Sequence, residues 1–195
     1  MSKQGDNRAD PFVKILIRLE KLSGMSAEKS NHSFTPCIFI SHVKEDTEAC
    51  EPIAQYIREA GVDVYFDKYD KTLSELVREG NPDKVTERIQ EGIDLSSHML
   101  CVVSPQTIRS YWVPFEVGYG CKAAIGLGVL TLKGLADEAL PDYMKTTRVV
   151  RGTRSLNEFI AELIGTNSDH LIEQKALRRP SDPKHPLDYV LNWSL

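Results

Sequence analysis

The residues best suited to chemistry lie four apart in the middle of the chain, at Trp112 and Glu116. They follow an almost wholly apolar run, residues 98–104, which predicts a buried strand. Ser110 is placed to cap a helix that begins near Tyr111, and residues four apart on a helix share one face. The pattern predicts an aromatic surface beside a carboxylate, at the strand end where open α/β sheets bind ligands.

The length and charge of the chain bound its function. Its 195 residues suit one domain with an appendage at each end, and 41% hydrophobic content is enough for a sizeable core. A net charge of −4 gives no basic field for nucleic acid. No stretch has transmembrane length, and charges interrupt the apolar run from Phe12 to Leu22, unlike a secretory signal. We therefore expect a cytoplasmic protein that binds neither nucleic acid nor membrane.

Cysteines and histidines indicate a reducing compartment and no resident metal. The five histidines lack the spacing of metal ligands. The cysteines have no close spacing, and three of them lie in apolar runs, which predicts buried thiols rather than a disulfide framework. They are Cys37, Cys50, Cys101 and Cys121.

Strands alternate with helices along the chain, which predicts a parallel sheet with helices on both faces. The strands are expected at residues 37–41, 62–66, 98–104, 129–132 and 148–150. Five strands suit the flavodoxin-like order 2-1-3-4-5, a three-layer α/β sandwich. The ends of the first three strands then meet at one edge of the sheet. That edge is expected to carry Ser41, His42, Phe66, Asp67, Ser104, Trp112 and Glu116.

The segments outside this pattern carry weaker signals. Residues 1–10 are polar and expected to be loose. An amphipathic helix then runs from Asp10 and Pro11 to Gly24, followed by a polar linker to residue 35. Its apolar face suits docking on the domain, self-association or, least of all, a membrane surface.

Two polar segments within and after the domain are predicted to be irregular. Residues 68–83 form a long connection in which Leu73, Leu76 and Val77 suit one helical turn, and loops of this length are often functional. After Gly165 the chain turns polar and rich in proline. This composition predicts a tail that lies over the domain or is partly mobile.

Several short segments, in order, resemble a TIR (Toll/interleukin receptor) domain. They are Ile38–Ser41, Gly61–Asp67, Ile89–Ile93 leading to the strand that ends at Ser104, and Trp112–Glu116. The resemblance covers roughly residues 36–164 and predicts a TIR domain there. The chain is thus expected to consist of an N-terminal helix and linker (1–35), this domain (36–164) and a C-terminal extension (165–195).

The chain also departs from that family's pattern. His42 stands where many members have tyrosine, and the loop after Asp67 is unusually long. No receptor ectodomain or nucleotide-binding module accompanies the domain, so the chain looks like a stand-alone bacterial TIR protein.

Enzymatic members of that family cleave the nicotinamide–ribose bond of NAD+ with a glutamate four residues after a tryptophan. The resemblance implies that Glu116 is catalytic, that NAD+ is the substrate and that no cofactor is needed. It implies ADP-ribose, cyclic ADP-ribose or a variant as product, and a role in bacterial defence against phage. It also implies self-association through TIR–TIR contacts and an effector protein that reads the product. By position at the sheet edge, the substrate would meet Ser41, His42, Phe66, Asp67 and Trp112.

This chemistry is consistent with a single carboxylate. A glycosidase ordinarily needs two carboxyl groups because the leaving oxygen must be protonated. Nicotinamide leaves NAD+ as a neutral group from a cationic ring and needs no general acid. One carboxylate that stabilises the oxocarbenium-like transition state is then sufficient.

Other roles stay open on the sequence alone. The helix dipole by itself favours Glu116 near a helix N-terminus, and Asp67 equally suits a turn cap or a ribose contact. Trp112 suits a core or an interface. The whole domain also suits a non-catalytic scaffold that assembles through residues 68–83, or a nucleoside N-glycosidase or deoxyribosyltransferase, which has a related fold.

Overall fold

The computed structural model describes residues 4–22 and 35–192 and contains a five-stranded parallel sheet in the order β2-β1-β3-β4-β5. This confirms the flavodoxin-like order that the alternation of strands and helices predicts. The strands are β1 (Cys37–Ser41), β2 (Asp63–Tyr65), β3 (His98–Val103), β4 (Gly126–Thr131) and β5 (Arg148–Val150).

Helices pack on both faces of the sheet, also as predicted. The helices of the described residues are α1 (Pro11–Leu22), α2 (Thr47–Glu59), α3 (Lys71–Glu79), α4 (Pro82–Asp94), α5 (Trp112–Lys122), α6 (Asp142–Lys145), α7 (Thr153–Ile164) and α8 (Ser168–Glu173). None of them combines the length and apolar content needed to cross a bilayer.

The two layers of core follow from the two-residue period of the strands. Ile38 and Ile40 face a layer built with α2 and α7. Phe39 and Cys101 face the opposite layer, built with α4, α5 and α6. Neighbouring residues of a strand thus point to opposite faces, and the sheet is buried on both sides.

The connection from α5 to β4 differs from the sequence expectation. α5 ends at Lys122 rather than near Gly126, because Ala124 adopts a left-handed φ of 56° that stops the helix. β4 then begins at Gly126 instead of Val129, because β3 offers partners from His98 onward. Pairing along a neighbouring strand here overrides the low strand propensity of glycine.

The free cysteines match the predicted buried thiols at three of four positions. Cys37, Cys50 and Cys101 are buried, and Cys121 is exposed. Burial raises the pKa of Cys37 and of Cys101 to about 12, so these thiols are inert packing groups at neutral pH.

The connection between β2 and α4 is more ordered than its sequence suggests. An irregular loop with one helical turn is predicted, whereas the structure contains the nine-residue helix α3. Asp70 caps α3 by accepting the Leu73 N–H at 3.1 Å, and Gly80 ends it with a left-handed φ of 67°. No side chain of α3 is fully buried, and its three apolar residues, Leu73, Leu76 and Val77, span a single turn, so the sequence indicates one turn rather than the whole helix.

The N-terminal arm is ordered, which corrects the expectation of a loose segment. Asn7 forms a parallel bridge with Val64, so the arm covers the outer edge of β2. The Arg8 guanidinium is buried and pairs with Asp63 at 2.9 Å. A Cβ on Gly5 would lie 2.1 Å from the Val62 carbonyl oxygen, so only glycine allows this close approach.

Within the described residues, the apolar face of α1 is exposed, so docking on the domain, one of the three roles expected for this face, is not observed there. Ile17 is the buried apolar residue of this helix, and Phe12 on the opposite side is 67% exposed. The predicted helix end at Gly24 and the linker through residue 34 lie outside the described residues. The exposed apolar face consists of Phe12, Ile15, Leu16, Leu19 and Leu22.

The C-terminal segment packs over the domain, one of the two arrangements its composition allows. Leu187 and Leu191 are buried in the same core layer as α2 and α7. The Thr153 N–H donates to the Asn192 carbonyl at 2.8 Å, and the Lys133 N–H donates to the Val190 carbonyl at 2.8 Å. Residues 176–192 therefore belong to the same folded unit as the sheet.

Candidate active site

A cavity of about 840 Å³ opens at the carboxyl edge of the sheet, beside the ends of β1 and β2. Small-molecule sites usually occupy about 300–1,000 Å³. Its walls come from the loops after β1 and β2, from α3 and α4, and from the segment that leads into α5. Its lining includes His42, Asp67, Leu73, Val77, Trp112 and Glu116.

Glu116 lines this cavity from α5, and it is 7% exposed. Val117 beside it is buried against the sheet, and Gly120 lets the helix approach Met99, whose methyl group would lie 3.0 Å from an added Cβ. The Ser41 hydroxyl, at the end of β1, donates a hydrogen bond of 2.5 Å to Glu116 Oε2. The carboxyl group is therefore fixed by a close helix–sheet contact and by a donor from the central strand.

The protonation of Glu116 is shifted by its surroundings. Burial raises the pKa of this carboxyl from 4.5 to about 7, the Ser41 hydrogen bond opposes the shift, and the charge of Asp67 adds to it. Near neutral pH the group is balanced between its acid and its carboxylate. A carboxyl group shifted in this way and lining a cavity is a candidate for catalysis.

Trp112 lies one turn before Glu116 and borders the same cavity. Its side chain is 41% exposed and meets the Phe115 ring edge-to-face, with centroids 6.0 Å apart. The Ser110 hydroxyl accepts the N–H groups of Trp112 and Val113, each at 3.2 Å, as the sequence predicts for a cap. The indole is thus held by its helix while part of its face stays open to a ligand.

His42 and Asp67 meet on the other side of the cavity. His42 Nε2 lies 3.7 Å from Asp67 Oδ1 and 3.2 Å from the Thr47 hydroxyl oxygen, and Nδ1 lies 3.2 Å from the Ile40 carbonyl oxygen. Burial raises the pKa of Asp67, the neighbouring His42 lowers it, and the charge of Asp70 raises it again. Two acidic groups, Asp67 and Glu116, therefore border one cavity, and the charge of Asp67 raises the pKa of Glu116.

Comparison with models of known protein families matches residues 38–146 to the TIR domain, over more than half of the chain. The chain belongs to the TIR domain family. The matched range contains the cavity walls from β1 to α5, whereas α1 and the C-terminal segment lie outside it. No individual curated protein matches the chain significantly.

The TIR domain brings the predicted site residues together with two qualifications. Ser41 is 1% exposed and reaches the site through its hydrogen bond to Glu116 rather than by lining the cavity. Phe66 is fully buried and packs against the His42 ring with centroids 5.0 Å apart. Because Phe66 has the same strand parity as Val64, it points into the α2/α7 layer, away from the cavity.

Asp46 is a residue of this TIR domain that sequence reasoning missed. Its Oδ2 accepts the Ser104 hydroxyl at 2.5 Å and the Thr107 hydroxyl at 3.4 Å. These bonds tie the loop after β1 to the end of β3, so Ser104 has a structural partner. The only sequence signal was an acidic residue in a loop expected at this edge.

The cavity also carries basic side chains that the sequence did not single out. Lys44, Lys68 and Arg109 lie on its lining, from the three segments that follow β1, β2 and β3. Lys68 forms an ion pair of 2.6 Å with Glu51. Within residues 4–22 and 35–192, no group of three or more His, Cys, Asp or Glu side chains is arranged to hold a metal ion.

Proposed function

We propose that this TIR domain cleaves the nicotinamide–ribose bond of NAD+, with Glu116 as the catalytic carboxylate. The observation that carries the proposal is the buried Glu116 carboxyl, held by Ser41 and bordering a cavity that Trp112 also borders. Its pKa of about 7 leaves a substantial fraction ionised at neutral pH. The carboxylate is 7% exposed, and a buried anion interacts strongly with a developing cation.

The bonds that break and form in this reaction explain why one carboxylate is enough. The bond between ribose C1′ and the nicotinamide nitrogen breaks, and its electron pair neutralises the pyridinium ring. The ribose is left as an oxocarbenium-like cation, which the Glu116 carboxylate stabilises. Water then adds to C1′ and loses a proton, giving ADP-ribose, or a nucleophile of the same molecule adds instead and closes a cyclic product.

The other cavity residues suit the remaining parts of NAD+. The partly exposed Trp112 indole offers a flat surface to the nicotinamide ring. Asp67 supplies a second negative group for the ring cation or a ribose hydroxyl, and His42 orients it. Lys44 and Arg109 supply positive charge for the diphosphate. Phe66 contributes by supporting His42.

A panel of substrates tests this proposal. Concentrated protein is incubated with NAD+, NADH and free purine or pyrimidine nucleosides, and the released bases are separated by chromatography. Cleavage of NAD+ but not of NADH is expected, because the reduced nicotinamide is not a cationic leaving group. Cleavage of free nucleosides would instead support the N-glycosidase or deoxyribosyltransferase alternative. Release from none of them would support the scaffold alternative.

We further propose that the cytoplasmic enzyme acts as a self-associated assembly and that its product is a signal read by an effector protein in defence against phage. TIR domains commonly self-associate. Activity per molecule is therefore expected to rise with protein concentration, so that total activity rises more steeply than linearly. A dilution series with nicotinamide release as the readout checks this, and strict proportionality over a wide range would count against assembly.

A further inference from the structure

A buried carboxylate outside the catalytic centre joins three parts of the molecule. Asp70 is 1% exposed, and its Oδ2 accepts hydrogen bonds from Lys14 Nζ at 2.8 Å, the Tyr65 hydroxyl at 2.8 Å and Arg88 Nε at 2.9 Å. These donors come from α1, β2 and α4. Asp70 thus accepts from two cations, Lys14 and Arg88, and from one hydroxyl group, that of Tyr65.

The same carboxylate determines where α3 begins. Its Oδ1 accepts the Leu73 N–H at 3.1 Å, and its backbone carbonyl accepts the Ser74 hydroxyl at 3.2 Å. The Asp70 N–H donates in turn to the Asp67 carbonyl at 2.7 Å. Asp70 therefore links the candidate site residue Asp67 to the first turn of α3.

α3 is a wall of the cavity that packs on the domain through two partly buried side chains, Leu73 and Leu76. Leu73, Ser74 and Val77 line the cavity, yet no α3 side chain is fully buried. A helix without buried side chains depends on its cap and on its neighbours for a fixed position. A change at the cap is therefore transmitted to the cavity wall.

Lys14 brings α1 into this arrangement. Its side chain is 12% exposed, and its Nζ forms an ion pair of 2.8 Å with Asp70. The same Nζ lies 4.8 Å from the centroid of the Tyr65 ring. Burial lowers the pKa of Lys14, while the hydrogen bond and charge of Asp70 raise it. Although the apolar face of α1 is exposed, Lys14 is one of the side chains that connect this helix to the domain.

We propose that Lys14 is a positioning residue for the candidate active site, acting through Asp70 to hold α3 as a wall of the substrate cavity. The inference rests on the proposed function for its effect on substrate, but its effect on α3 does not. α1 lies outside the matched TIR region, so a segment beyond the family's core controls the shape of the site. Removing the Lys14 ammonium group is expected to make α3 more mobile and to weaken substrate binding, while the hydrogen bond between Ser41 and Glu116 is unchanged.

The test compares Lys14→Met with Arg18→Met in the full chain. Arg18 lies one turn further along α1 and is exposed, so its variant removes the same charge from the same helix without touching Asp70. Amide hydrogen exchange of residues 71–79 is measured by mass spectrometry, beside the KM and kcat of NAD+ cleavage. Thermal melting checks that both variants fold, since Arg88 and Tyr65 still satisfy Asp70.

In Lys14→Met, exchange in residues 71–79 is expected to accelerate about tenfold and KM to rise about tenfold, as for loss of one charge-assisted hydrogen bond, with kcat changed by less than about twofold. Arg18→Met is expected to match wild type, and Lys14→Arg to restore most of both properties.

Three results would overturn the inference. They are equal exchange in Lys14→Met and Arg18→Met, faster exchange with an unchanged KM, and a fall in kcat without a change in exchange. If the wild-type protein cleaves no NAD+, the proposed function fails, and the exchange comparison alone decides whether Lys14 holds α3.

Discussion

At the scale of single residues, the burial of Glu116 has a cost in stability and shifts the protonation of the group that we propose as the catalytic carboxylate. Its burial raises its pKa to about 7, and Ser41 supplies the hydrogen bond that limits this rise. The sequence predicts that both residues lie at one sheet edge, because parallel strands end there together. It does not predict their contact, which depends on how closely α5 approaches β1. It also misplaces Phe66, because the strand period turns that side chain away from the cavity.

Replacing Glu116 with glutamine is expected to stabilise the protein above neutral pH. A carboxyl whose pKa is raised on folding favours the protonated form, so the stability of the wild type falls as pH rises from about 4.5 to about 7. A shift of this size corresponds to at most about 3 kcal/mol. Urea unfolding at pH 4 and pH 8 measures the difference.

The matched control for this stability measurement is Glu158→Gln, which removes an exposed carboxylate of α7. It is expected to change stability little at either pH. Equal effects of the two substitutions at pH 8 would show that Glu116 is not strained by burial.

The hydrogen bond from Ser41 is expected to set the pH dependence of catalysis. The carboxylate is the active form, so kcat/KM rises with pH through the pKa of Glu116 in the free enzyme. Ser41→Ala removes a donor that favours the ionised form, which moves the profile to higher pH. A hydrogen bond to a charged group contributes about 2 kcal/mol, so the rate at pH 7 falls roughly tenfold.

Asp67→Asn is expected to shift the pH profile of kcat/KM in the direction opposite to Ser41→Ala. It removes a negative charge that raises the pKa of Glu116, so the profile moves to lower pH. If both variants shift the profile in the same direction, or neither shifts it, the ionisation of Glu116 does not control the rate.

At the scale of elements, the sequence predicts the strands and most helices but not the relation of α1 and α3 to the rest. Both caps of α3, Asp70 and Gly80, are visible in the sequence, yet its apolar residues span only one turn and do not reveal the length of the helix. The pattern of α1 is clear, but periodicity identifies an apolar face without identifying what covers it. Here the apolar face is exposed, and Lys14 connects the helix to the domain through its hydrogen bond to Asp70.

The N-terminal arm is expected to depend on Gly5. A methyl group there would lie 2.1 Å from the Val62 carbonyl oxygen, so Gly5→Ala must push the arm away from β2. The expected loss is about 1–3 kcal/mol, as for other overpacked sites. Gly118→Ala is the control, because an added methyl group meets nothing within 4 Å and alanine favours the helix. Thermal melting should rank Gly118→Ala at or above wild type and Gly5→Ala below it, and the reverse order would contradict the close contact.

At the scale of the whole molecule, composition and alternation predict one α/β unit, and the structure confirms its sheet order. The polar composition after Gly165 conceals that this segment completes a core layer. Tyr56 on α2 donates to Asn157 on α7 at 2.8 Å and accepts the Arg178 N–H at 3.0 Å. Sequence composition does not reveal such packing. A few apolar residues, spaced along the segment, are sufficient to anchor it in the core, while its other side chains stay in solvent.

A fragment of residues 36–164 is therefore expected not to fold stably. It loses five buried leucine and valine side chains of the C-terminal segment, each of which contributes about 1.5–3 kcal/mol. Their sum is comparable with the whole stability of a domain, about 5–15 kcal/mol. Circular dichroism and thermal melting of the fragment beside the full chain check this, and equal melting temperatures would refute it. The side chains are Leu171, Leu177, Leu187, Val190 and Leu191.

The most direct test of the account is nicotinamide release from NAD+ at pH 8 by wild type and Glu116→Gln at equal, high concentration. The glutamine variant is expected to be folded and at least as stable as wild type, so lost activity cannot come from unfolding. We predict release by the wild type and a decrease of about 100-fold or more in the variant, as for loss of a main electrostatic stabiliser. Equal release by both proteins, or release by neither, would show that Glu116 is a structural residue of this TIR domain and not its catalytic carboxylate.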